Sequence, residues 1–192
     1  MGKTWDNEFE TCDCKNRHCG CSGGRMSLAG PYQRVLRVVK PRYVYEWGPG
    51  FSTGIAIGFC IPVIAVEHDK KYIPNIPFND QLHCIHAKMQ SEQYVEPQTD
   101  AELFLVDGRR RAECIRRVLR RYTDGTEKPF SPVLCLHDAQ RTRYHKALRE
   151  WPHVRFLARG FAVAALEPYR IAGIDKGEAI DGIRKEQTPL GG

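Results

Sequence analysis

The sequence predicts an α/β fold, a three-layer sandwich whose mostly parallel, seven-stranded sheet ends in an antiparallel hairpin. The first observation is that short apolar runs alternate with segments of helical periodicity along most of the chain. Strands that are separated by helices pair in parallel, because a parallel pair needs a long crossover connection. The second observation is that only Ala158-Arg159-Gly160 separates the last two apolar runs, and so short a link forces an antiparallel pair.

Each element follows from a local pattern. The apolar runs predict strands at 43–47, 63–67, 82–86, 103–107, 133–137, 154–157 and 161–166. Helical spacing predicts a helix from Pro31 that ends before Pro41, and further helices over 52–59, 109–122 and 141–151. Prolines limit residues 70–76 to a helical turn. The predicted buried stripe of the helix over 109–122 is Ala112, Ile115, Val118, Leu119 and Tyr122.

The composition is that of one globular domain. The chain has 192 residues, of which 42% are hydrophobic and 27% charged, and its formal net charge of +6 does not by itself indicate nucleic acid. We expect a Cys-rich segment at 1–29, the domain at 30–172 and a loosely ordered tail at 173–192. No run approaches the roughly 20 apolar residues that cross a bilayer, and the N-terminus lacks the apolar core of a secretory signal. We therefore expect a cytoplasmic protein without membrane contact.

A glycine turn, Gly48-Pro49-Gly50, follows the first predicted strand and precedes a helix. In an open α/β sheet such a turn lets the backbone approach a ligand beyond the carboxyl ends of the strands, and Ser52 or Thr53 can cap the helix. Glu67 ends the second predicted strand, 17 residues after Gly50, and can accept both ribose hydroxyls of an adenosine group. The alternative is an ordinary strand-to-helix turn with Glu67 exposed to water.

The segment Glu46-Trp47-Gly48-Pro49-Gly50-Phe51-Ser52-Thr53 resembles the first motif of the class I S-adenosylmethionine-dependent methyltransferases, a Rossmann-like family. Val66-Glu67-His68-Asp69 resembles the end of their second strand, and the closing hairpin is also typical of them. The resemblance extends over about residues 31 to 169. It implies a cofactor-binding turn in which Glu46, Gly48 and Gly50 border the methionine part, with Ser52 and Thr53 beside them and Glu67 at the ribose.

A nicotinamide dinucleotide fold is the competing interpretation of this turn. Its fingerprint needs a third glycine where the helix packs on the strand, and this chain has Thr53 there. The acidic Glu46 inside the first strand and the closing hairpin also favour the methyltransferase interpretation.

Polar residues end the fourth and fifth predicted strands, Asp107 on one and His137 and Asp138 on the other. If these strands are neighbours, the three candidate catalytic side chains share the rim where the methyl group would lie. Either Asp107 and Asp138 hold a divalent ion such as Mg²⁺, or His137 or Asp138 acts as a general base without metal, or the acids cap turns. The first option resembles the metal-dependent O-methyltransferases, but their lysine base is replaced here by Arg109-Arg110-Arg111, and arginine is a poor base.

The stretch from His137 to Tyr144 also resembles a His-Asp-x-x-Arg-x-x-Tyr segment of small uncharacterised members of this fold. On a helix, Arg141 and Tyr144 share a face and could flank the mouth of the pocket. The alternative is an ordinary surface pair.

Two groups of cysteines are expected. The potential ligands Cys12, Cys14, His18, Cys19 and Cys21 crowd into ten residues. They could close a structural zinc site, although paired cysteines usually have two residues between them, and disulfides, an iron–sulfur cluster or a reactive mobile tail are alternatives. Single cysteines inside apolar segments are expected in the core, namely Cys60, Cys84, Cys114 and Cys135.

The helix over 109–122 carries seven arginines, most of which must point away from the sheet. A solvated face is the ordinary meaning, and a platform for phosphate is the alternative. The sequence therefore predicts an S-adenosylmethionine-dependent methyltransferase acting on an oxygen of a small or sugar-like acceptor. A non-catalytic binding module of the same fold and an RNA-directed methyltransferase are the alternatives.

Overall fold

The computed structural model describes residues 24–73 and 80–174. The strands are β1 (Val44–Trp47), β2 (Val63–Glu67), β3 (Leu82–His86), β4 (Leu103–Val106), β5 (Val133–His137), β6 (His153–Ala158) and β7 (Phe161–Ala165). The α-helices are α1 (Gly24–Val39), α2 (Phe51–Gly58), α3 (Glu92–Val95), α4 (Arg111–Thr123) and α5 (His145–Arg149). Short 3-10 turns lie at Lys70–Tyr72, Thr142–Tyr144 and Pro168–Ile171.

The strands form one seven-stranded sheet in the order β3-β2-β1-β4-β5-β7-β6. Strands β1 to β5 pair in parallel, and β7 runs antiparallel to both β5 and β6. The predicted fold class and its closing hairpin are confirmed. After β1 the chain builds β2 and β3 to one side and then crosses to β4 on the other, so the order reverses between β1 and β4. In sheets of this kind the ligand crevice lies at that reversal.

Helices cover both faces of the sheet and give the three layers. On one face α1 and α2 pack on alternate strand residues such as Val44 and Leu105, and on the other α3, α4 and α5 pack on Tyr45 and Phe104. This alternation follows from the period of two in a strand, and it gives the sheet a hydrophobic core on each side. Most positions of the central strands are therefore buried, and Glu46 inside β1 is a buried carboxyl among them.

The helices depart from the sequence prediction where the pattern is weak. Helix α1 begins at Gly24, before the predicted start at Pro31, and continues through that proline. Leu28 is buried and extends the apolar side of the helix, although the residues around it show little periodicity. Helix α3 was not predicted, since one turn is too short to show a helical period. The helix predicted over 141–151 is divided into a 3-10 turn and α5. In the described ranges, no helix has the length and apolarity that crossing a membrane requires.

The stripe of α4 is largely as predicted. Ile115, Val118 and Tyr122 are buried together with Cys114, while Ala112 and Leu119 lie at the margin of the same core.

Two of the four core cysteines are placed as predicted. Cys114 and Cys135 are buried, whereas Cys84 is half-buried. The prediction for Cys60 is wrong, because the residue is exposed directly after α2, in a left-handed turn with a φ of 57°. The candidate zinc ligands lie outside the described residues, namely Cys12, Cys14, His18, Cys19 and Cys21. Residues 175–192 of the predicted tail lie outside them as well.

Candidate functional site

The glycine turn after β1 is held tightly against the end of β4. The Gly48 N–H donates to the carbonyl of Val66 over 3.0 Å, and the Asp107 N–H donates to the carbonyl of Trp47 over 3.0 Å. Gly48 has a φ of 81°, and a Cβ on it would lie 2.7 Å from Gly108 Cα. Both the left-handed backbone and the close approach of two main chains require glycine here.

Glu46 lies wholly beneath this turn, with 0% of its surface exposed. The hydroxyls of Ser52 and Thr53 both donate to its carboxylate, and Thr53 Oγ1 in turn accepts the Gly50 N–H over 2.8 Å. Burial raises the Glu46 pKa from 4.5 to about 8, against the opposing effect of the two hydroxyl donors. Glu46, Ser52 and Thr53 thus join β1 to the first turn of α2 and fix the path of the chain between them.

Glu67 ends β2 at the edge that carries the glycine turn, since Trp47 pairs with Val66 in the neighbouring strand. Its Oε1 accepts the backbone N–H groups of His68 and Asp69 over 2.7 and 2.8 Å. Its Oε2 accepts no hydrogen bond from any residue that the structure describes. Because Glu67 is only 4% exposed, the alternative of a carboxylate pointing freely into water is wrong.

Two features of this edge fit an adenosine-containing cofactor. A Cβ on Gly50 would meet no protein atom within 4 Å, so the turn has open space on its outer side. Glu67 offers an anchored carboxylate with one oxygen left for the hydroxyl groups of a ribose. Of the residues predicted to bind the cofactor, Gly48, Gly50 and Glu67 therefore lie along one edge across β1 and β2. Glu46, Ser52 and Thr53 are buried beneath this edge, where their side chains hold one another and the turn.

The candidate catalytic residues at the ends of β4 and β5 also lie close together. His137 Nδ1 lies 2.9 Å from Asp107 Oδ1. Arg111, at the start of α4, reaches both carboxylates, with Nη2 3.0 Å from Asp107 Oδ1 and Nη1 3.2 Å from Asp138 Oδ2. The same guanidinium donates to the carbonyls of Gly108 over 2.9 Å and His137 over 2.6 Å. Arg111 thus links the ends of β4 and β5.

This role of Arg111 was not predicted, because the sequence presents the residue as a substitute for a lysine base and as one of seven arginines on the same helix. The spacing of four residues is not a helical signal here, because Asp107 follows β4 and α4 begins only at Arg111. The link to Asp138 depends on β4 and β5 being neighbours and has no local signal.

A divalent ion does not fit between Asp107 and Asp138. The guanidinium of Arg111, with a side chain only 11% exposed, lies between the two carboxylates and supplies the positive charge there. Within residues 24–73 and 80–174, no three potential ligands cluster as a metal site requires. Of the three interpretations of this rim, the metal-dependent one loses its support.

His137 is held as half of a His–Asp pair. Burial lowers the pKa of its imidazole, but the hydrogen bond and charge of Asp107, together with Asp138, outweigh burial and raise it. With Nδ1–H donated to Asp107, Nε2 is the nitrogen that can accept a proton. Arg110 at the N-cap of α4 and Asp138 directly after β5 both adopt left-handed backbone conformations, with φ of 49° and 59°. Such conformations in non-glycine residues are concentrated at functional sites.

A cavity of about 380 Å³ opens beside this group, between the start of α4 and the turn after β5. Gly108, Arg111, Arg141 and Tyr144 contribute to its wall, so the predicted pair Arg141 and Tyr144 does border a pocket. Asp107, His137 and Asp138 lie behind Arg111 and are not part of the wall.

Three of the outer arginines of α4 are paired with acidic residues. Arg116 Nε lies 2.7 Å from Glu150, Arg121 Nε lies 2.6 Å from Asp100, and Arg117 contacts both Glu92 and Glu96. These ion pairs favour a solvated face, because a nucleic-acid platform would have to break them.

Comparisons with known proteins bear on the fold. No family model and no curated protein sequence matches this chain. The SAH-bound structure of the Podospora anserina methyltransferase PaMTH1 is 12% identical, with a TM-score of 0.52 over 69% of this chain and 74% of that one. A methyltransferase-like protein from Silicibacter pomeroyi is 16% identical, with a TM-score of 0.47 over 80% of this chain and 87% of that one. A predicted O-methyltransferase from Agrobacterium tumefaciens is 10% identical, with a TM-score of 0.45 over 77% and 96%.

The strand order, the antiparallel β7 and the glycine turn at the order reversal agree with the likeness to PaMTH1. The chain has a Rossmann-like α/β fold that is similar to the fold of the methyltransferase PaMTH1.

Proposed function

We propose that this protein is an S-adenosylmethionine-dependent methyltransferase that methylates an oxygen of a small acceptor. The observation that carries the proposal is the continuous edge formed by Gly48, Gly50 and Glu67 at the strand-order reversal. A glycine turn with open space beside a half-satisfied buried carboxylate is what close approach of an adenosine cofactor requires. The structural neighbour PaMTH1 was solved with SAH, the demethylated form of that cofactor.

The bound cofactor would supply a methyl group on a positively charged sulfur. The contribution of the chain is to bind and orient the two reactants and to remove a proton from the acceptor. We assign the general base to His137 Nε2, which lies behind Arg111 and outside the cavity wall, because Asp107 holds the ring through Nδ1 and would stabilise the imidazolium that forms. Arg111 acts as a positioning residue, since it holds Asp107 and Asp138 in place and is too basic to accept a proton.

Calorimetric titration with S-adenosylmethionine tests the cofactor site, with NADH as the competing ligand. We expect binding of the former alone. Glu67→Gln should weaken it about tenfold or more by removing the acceptor for the ribose hydroxyls, whereas Glu127→Gln, on an exposed loop, should leave it unchanged. Gly50→Ala is a second test, because the added methyl group meets no protein atom but occupies the space beside the turn. Binding of NADH in preference to S-adenosylmethionine would refute the proposal.

A non-catalytic module that binds the same cofactor is the second candidate. It is favoured by one observation, namely that Arg111 neutralises both carboxylates of the rim. The two candidates differ in the effect of His137→Ala on methyl transfer to a pool of small hydroxyl-bearing acceptors, followed with radiolabelled cofactor. An enzyme loses product formation while its affinity for S-adenosylmethionine stays the same. A binding module forms no product before or after the substitution.

A further inference from the structure

The cavity beside Arg111 is strongly cationic. Its wall contains five arginines and one acidic residue, Glu113, and the arginines are Arg109, Arg110, Arg111, Arg141 and Arg143. Its volume of about 380 Å³ lies in the range of small-molecule pockets.

Three of these arginines are compensated by carboxylates. Arg110 Nε donates to Glu113 over 3.0 Å, Arg111 lies between Asp107 and Asp138, and Arg141 lies 2.9 Å from Asp138. The charges of these three arginines are therefore already balanced by carboxylates of the protein.

Arg109 and Arg143 are different. In the ranges 24–73 and 80–174, neither has a carboxylate partner. Arg143 donates to the Tyr144 hydroxyl over 2.7 Å and lies over the Tyr144 ring at 4.9 Å, which fixes its direction without neutralising it. Both residues are exposed, so two positive charges remain available at the mouth of the cavity.

The start of α4 adds to this field. The first N–H groups of a helix are unsatisfied and carry partial positive charge, so cations are disfavoured there and anions favoured. This 13-residue helix nevertheless begins with Arg110 and Arg111, and Arg110 at the N-cap makes no capping hydrogen bond with its side chain. An anion in the cavity would relieve this repulsion and complement the partial positive charge at the start of the helix.

We infer that the cavity binds a phosphate group of the methyl acceptor, with Arg109 and Arg143 as the two uncompensated cations that recognise it. A phosphate monoester carries close to two negative charges at neutral pH, which matches two free guanidinium groups and gives them several oxygens to contact. The inference rests on the proposed function, because only then is the bound phosphate part of an acceptor. The cavity and the cofactor turn meet at Gly108, which lines the former and abuts Gly48 of the latter.

The test uses the full chain and phenyl phosphate as the probe, in phosphate-free buffer of low ionic strength, followed by calorimetry. Phenol and benzoate are the comparison ligands, since they share the ring but carry no charge or a single carboxylate. The double variant Arg109→Gln/Arg143→Gln removes the two free cations. The matched control is Arg116→Gln/Arg120→Gln, which removes the same charge from the outer face of the same helix.

We expect phenyl phosphate to bind, phenol not to bind and benzoate to bind more weakly. The Arg109/Arg143 double variant should weaken the phosphate complex about tenfold, equivalent to about 1.4 kcal/mol, and the outer-face control should change it little. Thermal unfolding of both double variants checks that they fold. Equal binding of phenol, tighter binding of benzoate, or an unchanged affinity in the Arg109/Arg143 variant would overturn the inference.

A parallel titration with S-adenosylmethionine separates the two proposals. Cofactor binding without phosphate binding rejects the inference and leaves the proposed function standing. Phosphate binding without cofactor binding rejects the proposed function, and with it the identification of the bound group as part of an acceptor.

Discussion

Gly48 and Gly108 meet at the carboxyl ends of two neighbouring parallel strands, so closely that a Cβ on Gly48 would lie 2.7 Å from Gly108 Cα. A side chain at Gly48 would separate β1 from β4 at the point where the strand order reverses, and a side chain at Gly108 would overlap the Tyr94 hydroxyl. The glycine turn and the adjoining wall of the cationic cavity are therefore held together by the contact between Gly48 and Gly108.

Gly48→Ala tests this contact. Because the substitution combines a left-handed φ of 81° with overlap of two backbones, we expect the free energy of unfolding to fall by about 3 kcal/mol or more. Gly54→Ala in α2 is the matched control, since its Cβ meets no atom within 4 Å, and it should stabilise the protein by about 0.5 to 1 kcal/mol. Urea denaturation measures both, and equal midpoints for the wild type and Gly48→Ala would contradict the contact.

Glu46 should make stability depend on pH. Its pKa is raised by burial to about 8 in the folded chain, so folding favours the protonated acid. The free energy of unfolding should fall as the pH rises from about 5 to about 8, and Glu46→Gln, which cannot ionise, should lose this part of the dependence. The melting temperature of Glu46→Gln, relative to that of the wild type, should therefore increase as the pH rises. Glu127→Gln should follow the wild type, and a constant difference between Glu46→Gln and wild type over this range would disprove the assignment.

Arg111 should be structurally important beyond its charge. Arg111→Gln leaves Asp107 and Asp138 without the cation between them, and we expect a loss on the order of 3 kcal/mol in the free energy of unfolding. Arg111→Lys should recover only part of it, because an ammonium group cannot reproduce the forked contacts to two carboxylates and two carbonyls. Arg117→Gln, an ion pair at the surface of the same helix, should cost less than about 1 kcal/mol.

The pKa of the His137 imidazole should depend on Asp107. Asp107→Asn removes the charge that raises this pKa and leaves the opposing effect of burial, so the pKa should fall. NMR titration of the imidazole protons, assigned with His137→Ala, measures the change. Asp124→Asn, in an exposed turn, is the control and should leave the pKa of the His137 imidazole unchanged. A His137 pKa that stays the same or rises in Asp107→Asn would show that the pair is not formed in solution.

Most of the fold could be predicted because its signals are local. Each strand is a short apolar run, and the link at Arg159 and Gly160 is too short for anything but a hairpin. The parts that failed have weak or misleading local signals. Helix α3 is a single turn, which is too short to show a helical period. Cys60 belongs to an apolar segment of the sequence, but in the structure it lies in a left-handed turn after α2.

The candidate site was predictable in the same uneven way. The glycines and Glu67 follow β1 and β2 directly, so their order along the chain already indicates one ligand edge. Asp107, His137 and Asp138 were found for the same reason, because each directly follows or ends a predicted strand.

The sequence by itself determined the strands, the glycine turn and the polar residues at the strand ends, since these depend on periodicity and turn chemistry over a few residues. Only the tertiary structure decided that Arg111 occupies the place between Asp107 and Asp138, and which arginines of one helix face the cavity. The physical reason is that both depend on which strands are neighbours and on how α4 is rotated against them. Those quantities are set by packing of the whole sheet and have no signature within any single segment.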